Sequence, residues 1–177
     1  EVREFLTSLN LDMCDSLTEI PDVSCFSKLE KLSFAWCQNL FTIHYSVGLL
    51  EKLKILDAEG CQELKSFPPL KLTSLERFIL SDCDNLESFP EILGKMENIT
   101  ELGLSDCGIK KFPPSFRNLT RLQELYLLHD EPFLARDFDA ATFISNICMM
   151  PELARVEAAH LQWRLLPDDF LKLGSVV

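Results

Sequence analysis

Seven cysteines, three histidines and 28 carboxylates are the side chains of this 177-residue chain that could do chemistry. Zinc wants pairs of Cys or His two to four residues apart, and no such pair is present. Five of the cysteines, Cys14, Cys37, Cys61, Cys83 and Cys107, instead recur at intervals of 22 to 24 residues, with Cys25 and Cys148 outside the series. That period fits a ladder of reduced structural thiols and a reducing compartment. A disulfide between stacked thiols stays open as the alternative, because their Cα atoms would lie in bridging range, and a metal is the third choice. His44, His129 and His160 do not join a Cys or Ser in the pattern of an activated nucleophile. His129 and His160 fall at equivalent points of the period, so a shared ligand site competes with two solvated loop histidines. Asp168-Asp169 follow Leu166-Pro167 and read as a helix cap rather than an acid–base pair. No glycine-rich phosphate cradle occurs. Asn98-Ile99-Thr100 and Asn118-Leu119-Thr120 match the glycosylation pattern, yet both straddle the start of a period, where a structural role fits as well.

The elements that would position these residues follow from the period itself. Aligned on an apolar residue, the registers run Leu6-Leu9-Leu11-Cys14-Leu17, Leu29-Leu32-Phe34-Cys37-Leu40, Leu53-Leu56-Ala58-Cys61-Leu64, and Leu75-Phe78-Leu80-Cys83-Leu86. The fifth is Ile99-Leu102-Leu104-Cys107-Ile109. The sixth is Leu122-Leu125-Leu127 with Asp130 in the Cys slot, and the seventh is Leu153-Val156-Ala158-Leu161-Trp163. The starts are separated by 23, 24, 22, 24, 23 and 31 residues. This is leucine-rich-repeat grammar. Each L-x-L is a short strand with two apolar side chains on one face, and one strand cannot bury that face alone. Stacked repeats predict an α/β leucine-rich-repeat solenoid of about seven repeats, with a parallel concave sheet about 29 Å long and loops and short helices on the convex side. A second apolar pair closes each turn: Ile20-Pro21, Ile43-His44, Phe67-Pro68, Phe89-Pro90, Phe112-Pro113 and Leu166-Pro167. The prolines are expected to keep that side out of a regular sheet. Apolar residues at three-residue spacing, such as Val47-Leu50-Leu53 and Phe116-Leu119-Leu122, suit short helical or 3₁₀ turns.

The long spacing divides the chain into repeats one to six (1–128), an insertion (129–152), and repeat seven with the start of another (153–177). Asp139 is a candidate cap for a helix over 140–150 with Phe143, Ile144, Ile147 and Cys148 on its apolar face, stopped by Pro151. Such a helix either packs on the convex side or protrudes as a recognition element. Neither end carries a polar capping repeat, so the ends are expected to be apolar and the parent protein longer. A net charge of −11 excludes a phosphate-tracking surface and docking on anionic membranes. No apolar run reaches the roughly 18–20 residues of a membrane span.

What remains for function is the concave surface. Its central positions are Asn10, Ser33, Asp57, Ile79, Gly103, Tyr126 and Glu157. They are flanked by Lys31, Ile55, Arg77, Glu101, Glu124 and Arg155 on one side and by Asp12, Ala35, Glu59, Ser81, Ser105 and Leu128 on the other, with Met13 and Trp36 just after the strand. Ile55, Ile79, Tyr126 and Leu128 are apolar anchors where solvent-facing strands usually carry polar groups, so a partner, or another part of the parent, is expected to cover them.

Leu102-Gly103-Leu104-Ser105-Asp106-Cys107, the run Leu80-Ser81-Asp82-Cys83-Asp84-Asn85-Leu86-Glu87-Ser88-Phe89-Pro90-Glu91, and Trp163-Arg164-Leu165-Leu166-Pro167-Asp168-Asp169 resemble plant intracellular nucleotide-binding leucine-rich-repeat disease-resistance proteins. The closest likeness is to the legume-like class with a Toll/interleukin-receptor-like domain. The resemblance covers residues 5 to 173 as repeats only. It implies a cytoplasmic or nuclear parent that binds ADP at rest and ATP when active in an upstream domain, and cleaves NAD through its N-terminal domain. It implies that these repeats hold the nucleotide-binding domain shut and detect a pathogen effector, directly or through a guarded host protein, and that the parent then oligomerises. On that reading the segment itself needs no cofactor and is no enzyme. Asp130, Leu161 and the insertion depart from the family pattern. A ubiquitin-ligase substrate adaptor and an extracellular receptor ectodomain are the alternatives.

Overall fold

The computed structural model describes residues 5–128 and 140–158. Among the described residues nine short strands lie in chain order: β1 (Ser8–Asn10), β2 (Glu19–Ile20), β3 (Lys31–Ser33), β4 (Thr42–Ile43), β5 (Ile55–Asp57), β6 (Arg77–Ile79), β7 (Glu101–Gly103), β8 (Glu124–Tyr126) and β9 (Arg155–Glu157). A helix, α1 (Ala140–Cys148), precedes β9. The sheet β1-β3-β5-β6-β7-β8-β9 is parallel throughout. Its register aligns Leu9, Leu32, Leu56, Phe78, Leu102, Leu125 and Val156. These are the middle apolar positions of all seven sequence registers, so the leucine-rich-repeat solenoid is the observed fold.

The backbone ladder runs past each strand. Leu11 and Met13 N–H donate to Ser33 and Ala35 carbonyls (both 2.8 Å), and Phe34 and Trp36 repeat the pattern on Asp57 and Glu59 (3.0 and 2.6 Å). The residue before each Cys then adopts a left-handed conformation: Met13, Trp36, Gly60, Asp82 and Asp106 have φ of 58°, 61°, 70°, 57° and 47°. That reversal aims the following Cys inward. Cys37, Cys61, Cys83 and Cys107 are buried. The thiols of Cys37, Cys61 and Cys83 donate to Leu11 O, Phe34 O and Ala58 O of the preceding repeat at 3.1, 3.3 and 3.2 Å. The thiol thus does the bridging that an amide could do, at half the size. All seven cysteines are free thiols. Cys14 departs from the expected inward ladder: it is exposed, having no earlier rung stacked on it among the described residues. Burial pushes the Cys61 and Cys107 thiols up to about 12 and Cys83 further.

The second side forms more sheet than its prolines suggest. β2 pairs with β4 in parallel, and Leu70↔Ile92 and Ser88↔Lys111 make single bridges. Pro21 follows β2 instead of interrupting it, so its missing N–H is not needed there. The convex turns over Tyr45–Leu49 and Pro114–Asn118 are 3₁₀ helices, as the three-residue spacing predicts.

Beneath them the phenylalanines form a continuous spine. Phe67–Phe78, Phe78–Phe89, Phe89–Phe116, Phe116–Phe112 and Phe112–Phe143 have centroids 5.2, 6.2, 4.9, 4.8 and 4.8 Å apart. Phe143 belongs to α1, which therefore extends the convex core against Pro114–Asn118 with Ile144 and Ile147 also buried. This arrangement favours the packed helix over the protruding one. The helix ends at Cys148, two residues short of the sequence expectation, since the residues before Pro151 are disfavoured in helical geometry. Cys148 is exposed rather than on the apolar face, and Asn146 takes an inward place, donating to Pro113 O at 3.5 Å. Asp139, Asp130, Leu161 and Leu166–Asp169 lie outside the described residues.

Two outcomes are expected. Phe89→Ala removes the ring that touches Phe78, Phe112 and Phe116, and should cost about 3–5 kcal/mol in a denaturant titration. Alkylation of the native chain should label Cys14, Cys25 and Cys148 and spare the four buried thiols. The folded thiols ionise above their ordinary value, so the unfolded chain releases protons first. Stability should therefore fall as pH rises from about 9 toward 12, whereas a flat denaturation midpoint across that window would contradict the ladder.

Candidate functional site

Because every strand shares one register, the solvent-facing side chains of the sheet fall into columns. Ser8, Lys31, Ile55, Arg77, Glu101, Glu124 and Arg155 form the entry column; Asn10, Ser33, Asp57, Ile79, Gly103, Tyr126 and Glu157 form the middle one. Asp12, Ala35, Glu59, Ser81, Ser105 and Leu128 follow one pleat later, and the left-handed residues Met13, Trp36, Gly60, Asp82 and Asp106 make the exit rim. Neighbouring repeats thus bring together residues 22 to 24 positions apart, and 31 apart between β8 and β9.

The columns differ in chemistry along the solenoid. In the first repeats Asp12 organises the surface. Its carboxylate accepts from the Ser33 hydroxyl, from Ala35 N–H at 2.9 Å and from the Asn10 amide at 2.7 Å. Ser33 is consequently only 2% exposed and Ala35 is buried, so neither is open surface as their sequence positions suggest. Further on, Asp57 accepts from Glu59 N–H at 3.1 Å. Burial, then the nearby Asp57 and Asp82 charges, raises the Glu59 carboxyl above the usual carboxylate range. In the middle, Ile79 leans over Gly103: its Cδ1 lies 3.1 Å from where a Cβ would stand. On the entry column Arg77 grips Glu101 with two bonds, Nε–Oε2 2.7 Å and Nη2–Oε1 2.9 Å. At the far end Arg155 pairs with Glu157 and lies 6.0 Å over the Tyr126 ring, whose hydroxyl donates to Glu124. That bond to Glu124 raises the Tyr126 phenol above its ordinary value. Ile55 and Tyr126 are half-buried, whereas Lys31 and Leu128 are exposed.

The rim contains what sequence reasoning missed. Trp36 lies across Gly60, its Cε3 2.5 Å from an added Cβ, so a glycine at residue 60 makes room for the indole. The one signal was a glycine among five equivalent positions otherwise filled by Met, Trp and Asp.

None of the described constellations is built for bond making. His44 has Ser46 Oγ at 2.9 Å and Asp22 Oδ1 at 3.7 Å, residues that the sequence reading did not connect. Both face the same ring nitrogen, Nδ1, whereas a catalytic triad needs the carboxylate and the nucleophile on opposite nitrogens of the histidine base. Ser46 is also buried and accepts from Val23 N–H at 2.9 Å, so this trio caps the 3₁₀ turn. His129 and His160 lie outside the described residues. No group of three His, Cys, Asp or Glu side chains among the described residues could hold a metal. Asn98 and Asn118 donate their amides to Thr73 O and Ile92 O of the preceding repeat at 2.6 and 3.3 Å, which supports their structural reading. No helix among the described residues is long and apolar enough to cross a membrane.

Gly60→Ala should destabilise the chain by about 1–2 kcal/mol for the left-handed backbone alone. It should also expel the Trp36 ring, red-shifting tryptophan emission. An unshifted spectrum with an unchanged unfolding midpoint would show that the indole does not rest on Gly60.

The Leucine Rich Repeat family profile matches residues 98–119. TMV resistance protein N of Nicotiana glutinosa is 30% identical over 173 residues, which is 97% of this chain and 14% of that protein. Disease resistance protein RPP4 of Arabidopsis thaliana is 37% identical over 106 residues, 56% of this chain and 9% of its own length. Disease resistance protein RPP2A of Arabidopsis thaliana is 31% identical over 125 residues, 70% of this chain and 9% of its own length. The chain therefore spans a small part of each of these relatives. Parallel repeats, the inward thiol ladder and these likenesses agree: the chain is a leucine-rich-repeat segment of the plant disease-resistance kind.

Proposed function

We propose that this segment recognises proteins for a plant innate immune receptor: it detects a pathogen effector or a guarded host protein, and at rest it holds an upstream nucleotide-binding switch closed. The reading rests chiefly on likeness across 97% of the chain to a protein named for virus resistance. It is supported by a concave face whose chemistry changes from repeat to repeat while its core does not. In such a receptor ADP or ATP would bind in another domain, NAD cleavage would belong to the N-terminal domain, and activation would assemble an oligomer in the cytoplasm or nucleus. These repeats would supply the surface only, because side chains spaced along rigid strands can select a partner without reacting with it. The half-buried apolar residues Ile55, Ile79 and Tyr126, with exposed Leu128, would be the anchors, and Arg77–Glu101 and Arg155–Glu157 the polar frame.

The test is charge reversal at Asp57, Glu59, Glu101 or Asp106 in the full receptor, expressed in leaf tissue with and without the effector. Cell death without effector, or loss of response at unchanged protein level, is expected. Wild-type behaviour in all four would remove the concave face from the mechanism.

A further inference from the structure

Repeat two departs from its neighbours where its turn closes. Repeats one, three, four and five put proline there (Pro21, Pro68, Pro90 and Pro113), whereas repeat two has His44. His44 N–H donates to Ile20 O at 2.9 Å, a bond that proline could not make. Its ring then meets two donors. Ser46 N–H points at Nδ1 at 3.3 Å, and the Ser46 hydroxyl lies 2.9 Å from the same atom. That hydroxyl oxygen accepts Val23 N–H of repeat one at 2.9 Å, so its own hydrogen is left to give. Two donors aimed at one ring nitrogen require a lone pair on Nδ1 and put the ring proton on Nε2. A second proton, taken from solvent by this part-exposed side chain, therefore goes to Nδ1, the atom that caps the turn. An acceptor for it is in place. Asp22 Oδ1 of repeat one lies 3.7 Å from Nδ1, and among the described residues no other carboxylate comes within 4 Å of the ring nitrogens. Ser24 N–H at 2.9 Å, and to a smaller degree Ser46 and His44, hold the Asp22 carboxyl below its ordinary range, so it is charged wherever an imidazole titrates. On its own turn His44 meets the Tyr45 ring, 4.3 Å away and tilted by 42°. Glu19 of repeat one stands opposite Thr42, two residues upstream, and repeat three has no charged residue between Lys65 and Lys71.

We propose that His44 is a proton-operated latch between repeats one and two: neutral, it accepts from Ser46 and caps the 3₁₀ turn; protonated, it donates from Nδ1 toward Asp22 and Ser46 Oγ and releases Ser46 N–H. The change reverses one chain of hydrogen bonds. The Ser46 hydroxyl loses the ring lone pair and turns its hydrogen to Asp22, while its oxygen accepts from Nδ1–H. Val23 N–H keeps its place on that oxygen, so the two repeats stay joined. Ser46 N–H is the group left without its acceptor. The turn Tyr45–Leu49 then frays at its start, while Val47 and Gly48 remain buried beneath it. Imidazole is the side chain whose charge ordinarily changes between about pH 5 and 8. The latch follows β4, on the two-stranded sheet rather than the concave one, so it stands or falls apart from the recognition reading.

The test is residue-resolved NMR of the full chain, titrated from about pH 8 to pH 5. At the alkaline end the His44 ring nitrogens should report hydrogen on Nε2 and a lone pair on Nδ1. As the ring takes its second proton, the Ser46 amide should shift with the same midpoint. Its exchange protection, corrected for the intrinsic effect of pH, should fall about tenfold, the size of a lost cap. The Val23 amide, bonded to Ser46 Oγ in both states, should keep its protection. Asp22→Asn removes the charge that receives the new donor and should lower the ring's midpoint by about half a pH unit. His44→Gln cannot titrate and should leave the Ser46 amide without a pH response in this window. Hydrogen on Nδ1 at the alkaline end, a Ser46 amide that ignores the His44 titration or responds equally in His44→Gln, or a midpoint unmoved by Asp22→Asn would overturn the latch. Should His44→Gln disturb the turn itself, the wild-type midpoints of ring and amide, which must coincide, decide the matter without it.

Discussion

No repeat of this chain can complete either its backbone hydrogen bonds or its apolar burial without the next one. A three-residue strand such as Lys31–Ser33 has two open edges, and Leu32 beneath it has nowhere to go until Leu9 and Leu56 arrive on either side. The ladder continues beyond the strand to the left-handed residue, so each turn copies the one before it. The buried thiols, the phenylalanine spine and the 3₁₀ turns all occupy positions that this stacking creates. Their order along the chain is the order in space, and each contact is made between neighbours only.

The same constraint makes the surface. Identical register delivers unrelated side chains to within one strand spacing of each other, and their local chemistry then decides who is available. Asp12 draws Ser33 and the Ala35 backbone beneath itself. Ile79 spreads over Gly103, and Trp36 over Gly60, because each glycine leaves a vacant patch one rung along. Arg77 and Arg155 are tied to Glu101 and Glu157. What a partner meets is the outcome of these pairings rather than the bare residue types. The scaffold under them is nearly constant, which lets recognition vary without threatening the core.

The helix α1 shows how far the scheme bends. It stands where a convex turn would be, yet Phe143 joins the end of the aromatic spine against Phe112 and Phe116. A longer connection is tolerated because the core asks for a ring of the right size at one place and is indifferent to the path that brings it.

By itself the sequence determined the period, the seven strand centres, the inward slot of Cys37, Cys61, Cys83 and Cys107, the 3₁₀ spacing and the helix after residue 139. All of these are local patterns of apolar side chains, and burial enforces them in every repeat. Strand alternation also assigned positions to the two faces of the sheet, without saying which of them stay open. Only the tertiary structure decided that Cys14 is exposed, that Ser33 and Ala35 are covered, that Cys148 points outward, and that β2 and β4 pair despite the nearby proline. It alone revealed Trp36 on Gly60. Those outcomes depend on contacts between residues some two dozen positions apart and on left-handed backbone turns, and neither leaves a mark on the apolar spacing from which a sequence is read.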